Sequence, residues 1–306
     1  MICIYHSRDL DGWMSAAIVK LKYPDIKLIG WDYGDSIPEI SKGERIIMVD
    51  ISFPLTQMDL LAGNVHSIQK DFIWIDHHIS AIKECSIKIK DNFIAGYGGI
   101  RDIKFAACEL TWKYFFPNKP IPELVRLLGR YDCFGHKGTD EEQKVIEFQY
   151  GARQSIPDVE NAYAVLVTVI NQAELKMDTN VCDDILIQGK VIYKYLCTEA
   201  QQIYSRKFDI NFDTRGSENR DWTSSDRKYK FACVNQERFN PVNFGIDYHK
   251  DGYDGFACFW YQNRKWIFSL YNDNGEVDCS VICEQEGGGG HKGAAGFVKE
   301  DINWLF

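Results

Sequence analysis

"FIWIDHHIS", residues 72 to 80, is an apolar run that ends abruptly in Asp76, His77 and His78. Three titratable side chains in a row, where a buried strand should surface, need either water or a positive charge to face. Two earlier apolar runs end in the same way. "MICIYHSRDLDGW" places His6, Asp9 and Asp11 after the first, and "ERIIMVDIS" places Asp50 after the third.

Between these points the pattern alternates: strand "ICIY", helix "DGWMSAAIVKLKY", strand "IKLIGW", strand "ERIIMVD", helix "PLTQMDLLAG", strand "FIWID". Short apolar strands that alternate with helical periodicity predict an α/β fold built on a doubly wound parallel sheet. Ligands of such sheets bind at the carboxyl ends of the strands. All three polar strand ends should therefore share one edge.

Helical segments follow at about 103–116, 121–131, 141–152, 158–172 and 181–206, the last long enough to link two domains. The polar stretch "TRGSENRDWTSSDRK" (214–228) reads as a loop or hairpin. "YKFACV", "GFACFWY" and "KWIFSLY" then predict strands of a second sheet, closed by helix "DCSVICEQE" and the run "GGGGHKGAAGF". The expected organisation is a catalytic domain over 1–180, a linker helix over 181–213, and a smaller mixed-sheet α/β domain over 214–306.

The bulk composition fits this picture. The chain has 306 residues, 45% hydrophobic and 26% charged, which is the make-up of an ordinary globular protein. Its ten cysteines are scattered, without a C-x-x-C pair, and read as reduced thiols. Cys279 and Cys283 stand one helical turn apart and read as packing residues. The start "MICIYH" reads as a strand and not as a signal peptide, and the longest apolar stretch, "YAVLVTVI", is too short to span a bilayer. A cytoplasmic location is expected. A net charge of −9 argues against a surface that coats long duplex nucleic acid. It leaves room for a short phosphate substrate, because bound divalent cations reverse the local field.

One aspartate after a strand is often only a helix N-cap, and Asp11 before "GWMSAAIV" could serve as one. The coincidence at three strand ends asks for more. So many anionic groups facing one crevice cannot all stay ionised without a compensating cation. Carboxylates with some imidazole and no thiolate suit octahedral Mn²⁺ or Mg²⁺ better than structural zinc, and two ions sharing one carboxylate would use so many oxygens. Such pairs clamp the attacking and leaving oxygens of an in-line displacement at phosphorus. In "GGGGHKGAAG" (287–296), glycines without Cβ let backbone N–H groups approach an anion, and His291 and Lys292 add polar donors. A helix-terminating Gly287 would account for one of the four glycines.

These residues resemble the DHH phosphoesterase superfamily, in the branch with a DHH-associated C-terminal domain, similar to the oligoribonucleases that degrade nanoRNA. The resemblance covers 1–132 through four motifs and about 229–297 through the G-G-G-H stretch. It implies that His6, Asp9 and Asp50 hold one Mn²⁺, while Asp11, the bridging Asp50, His77 and Asp132 of "GRYDCF" hold the other. It further implies that His78 contacts the scissile phosphate, that Asp76 orients the neighbouring ligands, and that Gly288, Gly289, Gly290, His291 and Lys292 bind substrate. Two features depart from the pattern. His6 stands three residues before Asp9, where manganese pyrophosphatases of the superfamily place theirs four before, and "SLYN" puts Tyr271 where many members carry arginine.

The implied reaction is two-metal hydrolysis of a short oligonucleotide or dinucleotide to nucleoside monophosphates, with no covalent enzyme intermediate. Trp260, Trp266 and Tyr271 are candidates to stack a base, and Arg8 and Arg130 to meet phosphate. Cyclic or linear dinucleotide phosphodiesterase, inorganic pyrophosphatase or polyphosphatase, and an inert nucleotide sensor are the rival readings. Whether the chain acts alone or as a homodimer is left open.

Overall fold

Alternation along the first strands dictates how they are covered. In the computed structural model, which describes residues 1–65, 68–90, 97–177, 180–214 and 227–302, the chain begins with β1 (Ile2–His6), α1 (Leu10–Lys22), β2 (Lys27–Trp31) and β3 (Ile46–Val49). It continues through α2 (Leu55–Ala62), the single turn α3 (Ile68–Asp71), β4 (Phe72–Ile75) and α4 (Ile79–Lys90). Cys3, Tyr5, Ile47, Val49, Ile73 and Ile75 project to one face of the sheet, against Ala16 and Val19 of α1. Their neighbours Ile2, Ile4, Ile46, Met48, Phe72 and Trp74 project to the other, against Leu55, Met58 and Leu61 of α2. Successive strand residues point to opposite faces, so a strand apolar at every position must be covered on both.

The four strands are parallel in the order β2-β1-β3-β4. The chain leaves β1 for β2 on one side and then returns to β3 on the other. That reversal makes the carboxyl ends of β1 and β3 a topological switch point. This is the doubly wound parallel sheet that the alternating pattern predicts.

Five helices complete this part: α5 (Ala107–Phe115), α6 (Glu123–Asp132), α7 (Glu142–Ser155), α8 (Val159–Leu175) and α9 (Val181–Tyr204). Met14, Ala17 and Ile18 of α1 join a second core with Trp112, Leu124, Leu128, Phe148, Leu166 and Ile185. α1 is therefore apolar on two sides, one for the sheet and one for the helices. α7 and α9 meet at glycines. A Cβ on Gly151 would lie 2.0 Å from the Ile185 carbonyl oxygen, and one on Gly189 would lie 1.8 Å from that of Glu147.

The chain divides into two units, Met1–Ile192 and Tyr193–Phe306, with the division inside α9. The second unit holds β5 (Phe208–Thr214), β6 (Arg227–Asn235), two short 3-10 turns (Pro241–Phe244 and Tyr248–Asp251), β7 (Gly255–Gln262) and β8 (Lys265–Tyr271), then α10 (Cys279–Gln285), β9 (Gly289–His291) and β10 (Ala294–Lys299). Its mixed sheet runs β5-β6-β7-β8-β10-β9, with β6 and β7 parallel and the other pairs antiparallel. α10 covers one face through Cys279, Ile282 and Cys283. Ala200, Tyr204 and Tyr248 cover the other. All ten cysteines are free.

Some elements differ from the sequence reading. α4 and β5 were not expected, and most of the loop expected over 214–228 lies outside the described residues. The glycine run is not a simple loop. Gly287 (φ +82) terminates α10, its N–H donating to the Glu284 carbonyl and that of Gly288 to Cys283, which is a Schellman closure. The following residues pair as β9 and β10, and a Cβ on Gly288 would meet the Gly296 carbonyl at 2.1 Å.

Gly189→Ala is expected to destabilise the chain despite alanine's better helix propensity. That propensity is worth about 1 kcal/mol, whereas overpacking against a backbone carbonyl costs about 1–3 kcal/mol. Thermal melts should show a lower Tm, and an unchanged or higher Tm would contradict the close helix crossing.

Candidate metal centre

Asp9 ends the first strand–helix connection as the N-cap of α1, accepting from the Gly12 N–H at 2.9 Å through Oδ1. Its other oxygen, Oδ2, lies 2.8 Å from His6 Nδ1. A Cβ on Gly12 would sit 2.0 Å from the His6 carbonyl oxygen, so only glycine lets α1 start this close to the end of β1. Asp11 is not the cap of its own helix. It reaches across to α5, accepting from the Ala107 and Cys108 N–H groups at 2.8 Å each. A buried carboxylate at another helix's N-terminus is stabilised by free N–H donors there.

Asp50 follows β3 with φ 60, a left-handed conformation that is uncommon outside glycine and most tolerated by Asn and Asp. Its N–H still donates to the Ile75 carbonyl at 3.0 Å. The side chain is almost wholly buried, and its two oxygens face opposite ways: Oδ2 lies 3.5 Å from His6 Nδ1, and Oδ1 lies 3.3 Å from His77 Nε2. Oδ1 has no hydrogen-bond partner. His77 Nε2 is also 3.2 Å from Asp132 Oδ2, at the tip of α6, and 3.6 Å from Asp11 Oδ2.

The potential ligand atoms thus fall into two sets, His6–Asp9–Asp50 and Asp11–His77–Asp132, each within 4.8 Å, with Asp50 facing both. Asp50, His77 and His78 form a third overlapping set. Asp76 faces elsewhere. Fully buried, its Oδ1 accepts from the His77 and His78 N–H groups at 2.8 and 3.1 Å and lies 2.7 Å from His78 Nδ1, while Oδ2 accepts from Trp74 Nε1 at 3.1 Å. A carboxylate can only accept here, so His78 Nδ1 carries the proton and Nε2 is the nitrogen left for other partners.

Crowding perturbs every group in the cluster. Burial, then the charge on Asp50, pushes Asp11 up to about 8. Burial, then Asp11, pushes Asp132 up to about 7. Burial raises Asp50 as well. Burial opposes charge on the imidazoles, but the adjacent carboxylates of Asp50 and Asp9 outweigh it at His6, pushed up to about 10, and those of Asp50, Asp11 and Asp132 outweigh it at His77, pushed up to about 9. Among the described residues, the ion pairs of Asp9, Asp11, Asp50 and Asp132 are all with imidazoles. An unpaired buried carboxylate oxygen, converging acidic and imidazole donors, and no thiolate fit a hard divalent cation.

Comparison with known proteins adds a fold. The chain is 23% identical to an uncharacterized protein of Acanthamoeba polyphaga mimivirus, over 98% of this chain and 68% of that one. Its structure is similar to that of the pGpG-specific phosphodiesterase PggH from Vibrio cholerae, with a TM-score of 0.54 and 13% identity, covering 97% of this chain and 92% of the other. An exopolyphosphatase-related protein from Bacteroides fragilis aligns at a TM-score of 0.45 and 13% identity, over 99% and 86% of the two chains. No family model matches the sequence. At such identity the likeness to the Vibrio cholerae enzyme is one of fold.

The sequence reading missed Asp32. It follows β2 and lies 3.4 Å from His6 Nε2, while its Oδ2 accepts from Arg8 Nε at 2.6 Å. Asp32 thus holds the far side of the His6 ring, and Arg8 serves Asp32. The strand-end logic applied to "GWDYGD" would have found it. Arg130 donates from Nη1 to the Gly135 carbonyl at 3.2 Å. In the second unit, Trp260 is buried in the core beside Phe256, and Trp266 packs on Phe259 and Tyr261. These packed indoles therefore belong to the sheet's own core. Tyr271 packs against the same core as Trp260, and His291 and Lys292 are exposed.

The cluster makes stability depend on pH and metal together. His6, raised from 6.5 to about 10, contributes stability that is complete below 6.5 and lost as pH climbs through about 10. Asp11, raised from 3.8 to about 8, is penalised increasingly over that interval. Both effects lower the stability of EDTA-treated protein as pH rises from about 5 to about 9. Mn²⁺ at about 100 times its Kd should restore about 2.7 kcal/mol, a rise in Tm of several degrees that Asp50→Asn should lose. Melting curves that ignore Mn²⁺ at every pH would contradict a metal centre.

Proposed function

We propose that the chain is a metal-dependent phosphodiesterase of the DHH type that hydrolyses short oligonucleotides to nucleoside monophosphates. The observation that carries this reading is Asp50, whose two carboxylate oxygens are turned toward separate sets of ligands 3.3 and 3.5 Å away. In this proposal His6, Asp9 and Asp50 hold one Mn²⁺, and Asp11, Asp50, His77 and Asp132 hold the other, with Mg²⁺ as a substitute. Two such ions supply Lewis acidity at phosphorus and a water acidified to near neutral pH.

The chain's own groups do the rest. Asp76 fixes the backbone of His77 and His78 and accepts a hydrogen bond from the His78 Nδ1–H, which raises the affinity of that ring for a second proton. His78 in its charged form directs an Nε2–H donor at a nonbridging phosphate oxygen, stabilising charge that grows in the transition state. Asp32 and Asp11's backbone partners hold the outer sides of the cluster. Gly289, Gly290, His291 and Lys292 are proposed to bind phosphate, whereas the Gly288 N–H is already taken by the Cys283 carbonyl.

The pGpG specificity of the Vibrio cholerae neighbour favours a linear dinucleotide as the shortest substrate. Long duplexes and membranes are not expected partners, and no helix among the described residues is long and apolar enough to cross a membrane.

The test is a substrate panel with Mn²⁺: a linear dinucleotide, a five-nucleotide RNA, a cyclic dinucleotide and pyrophosphate, with products separated by chromatography. Nucleoside monophosphates from the two linear substrates are expected, with turnover abolished by EDTA or by Asp50→Ala. His78→Ala should lose about 10²–10³ in kcat. Phosphate released from pyrophosphate alone would contradict the proposal.

A further inference from the structure

Beside the cluster, on the face of the sheet that α2 covers, lies a cavity of about 480 Å³ that no part of the mechanism uses. It is lined by side chains that follow β2 and β3 and by the first turns of α4. Its inner wall is aromatic. Phe53 meets Trp31 edge to face at 4.8 Å, and Trp31 meets Tyr33 in the same way at 5.6 Å. Trp31 and Phe53 are buried, whereas Tyr33 is 54% exposed. Packing of this kind fixes the tyrosine ring from behind and leaves the rest of it open. The outer rim is polar, with Ser52, Asp35 and Glu84.

The location ties the cavity to the reaction. Tyr33 lies 6.4 Å, centroid to centroid, from the ring of His6, and Ser52 stands two residues beyond Asp50. A phosphate held at the cluster would bring whatever is attached to it past Tyr33. An open aromatic ring next to a phosphate site suits a nucleobase, since every base has a face to stack. The rim carboxylates are acceptors when ionised, so they favour a base with adjacent N–H donors on its edge. Guanine presents its N1–H and exocyclic amino group side by side.

We propose that this cavity is the subsite for the nucleobase beside the scissile phosphate, with Tyr33 as the stacking platform and guanine the preferred base. The proposal rests on the phosphodiesterase reading for its substrate class but is tested without turnover. Binding of GMP, AMP and ribose 5-phosphate to the Mn²⁺-loaded full chain is measured by calorimetry, in the wild type and in Tyr33→Ala, Tyr33→Phe and Glu84→Gln. GMP should bind on the order of tenfold or more tighter than ribose 5-phosphate, the worth of one stacked base. Tyr33→Ala should remove that advantage and leave ribose 5-phosphate binding and the Mn²⁺-induced rise in Tm unchanged, while Tyr33→Phe retains it. Glu84→Gln should narrow the preference for GMP over AMP.

Equal binding of GMP and ribose 5-phosphate by the wild type would overturn the subsite, as would a Tyr33→Ala variant that keeps the difference. AMP bound as tightly as GMP would overturn the assignment of guanine. GMP held through Tyr33 by a protein that cleaves no phosphodiester would uphold the subsite and refute the catalytic reading, so the two fail separately.

Discussion

The buried charge of Asp50 governs the rest of the site. Its side chain is 2% exposed, within reach of three imidazoles, and one of its oxygens has no hydrogen-bond partner. Isolated, such a group would be driven to its neutral form, and burial does raise it. Around it, Asp9, Asp11 and Asp132 add negative charge whose ion pairs, among the described residues, are all with imidazoles. A chain that merely needed stability would place an apolar residue or a salt bridge here. A hard divalent cation between the members of this cluster would answer that charge, and the donor set fits one.

The fold exists to bring those groups together. A doubly wound sheet gathers the ends of β1, β3 and β4 on one edge, and the crossover between β1 and β3 opens a crevice there. Local devices then set each side chain. Gly12 lets α1 begin against β1, the Asp9 cap fixes the helix start, and the left-handed backbone at Asp50 aims its carboxylate. Asp11 ties α1 to α5, so the helical half of the unit is anchored to the site by the same residue that faces His77. Asp132 arrives from the end of α6. Packing of α5, α6 and α1 in one core holds that tip in range.

Much of this was legible because the physics is local. Fully apolar runs of four or five residues announce buried parallel strands, and titratable residues at their ends announce the edge where ligands bind. What escaped depends on tertiary contact. Nothing in "LDGW" says that Asp11 will cap a helix almost a hundred positions later, leaving Asp9 to cap α1. Asp32 was passed over because it stands alone after its strand. The glycines at 287–290 suggested an anion loop, yet Gly287 and Gly288 are accounted for by a helix end and a close β contact. Gly151 and Gly189 look ordinary in sequence, and only the crossing of α7 and α9 explains them. The alternation in "FDINFDT", with Phe208, Ile210 and Phe212 against the core, would have revealed β5.

The account makes one demand that diffraction can meet directly. Crystals grown with Mn²⁺, measured at the manganese absorption edge, should give two anomalous peaks about 3.5–4 Å apart. Asp50 should contribute one oxygen to each, with His6 and Asp9 on one side and Asp11, His77 and Asp132 on the other. No peak at this edge of the sheet, or a single ion that Asp50 does not touch, would contradict it.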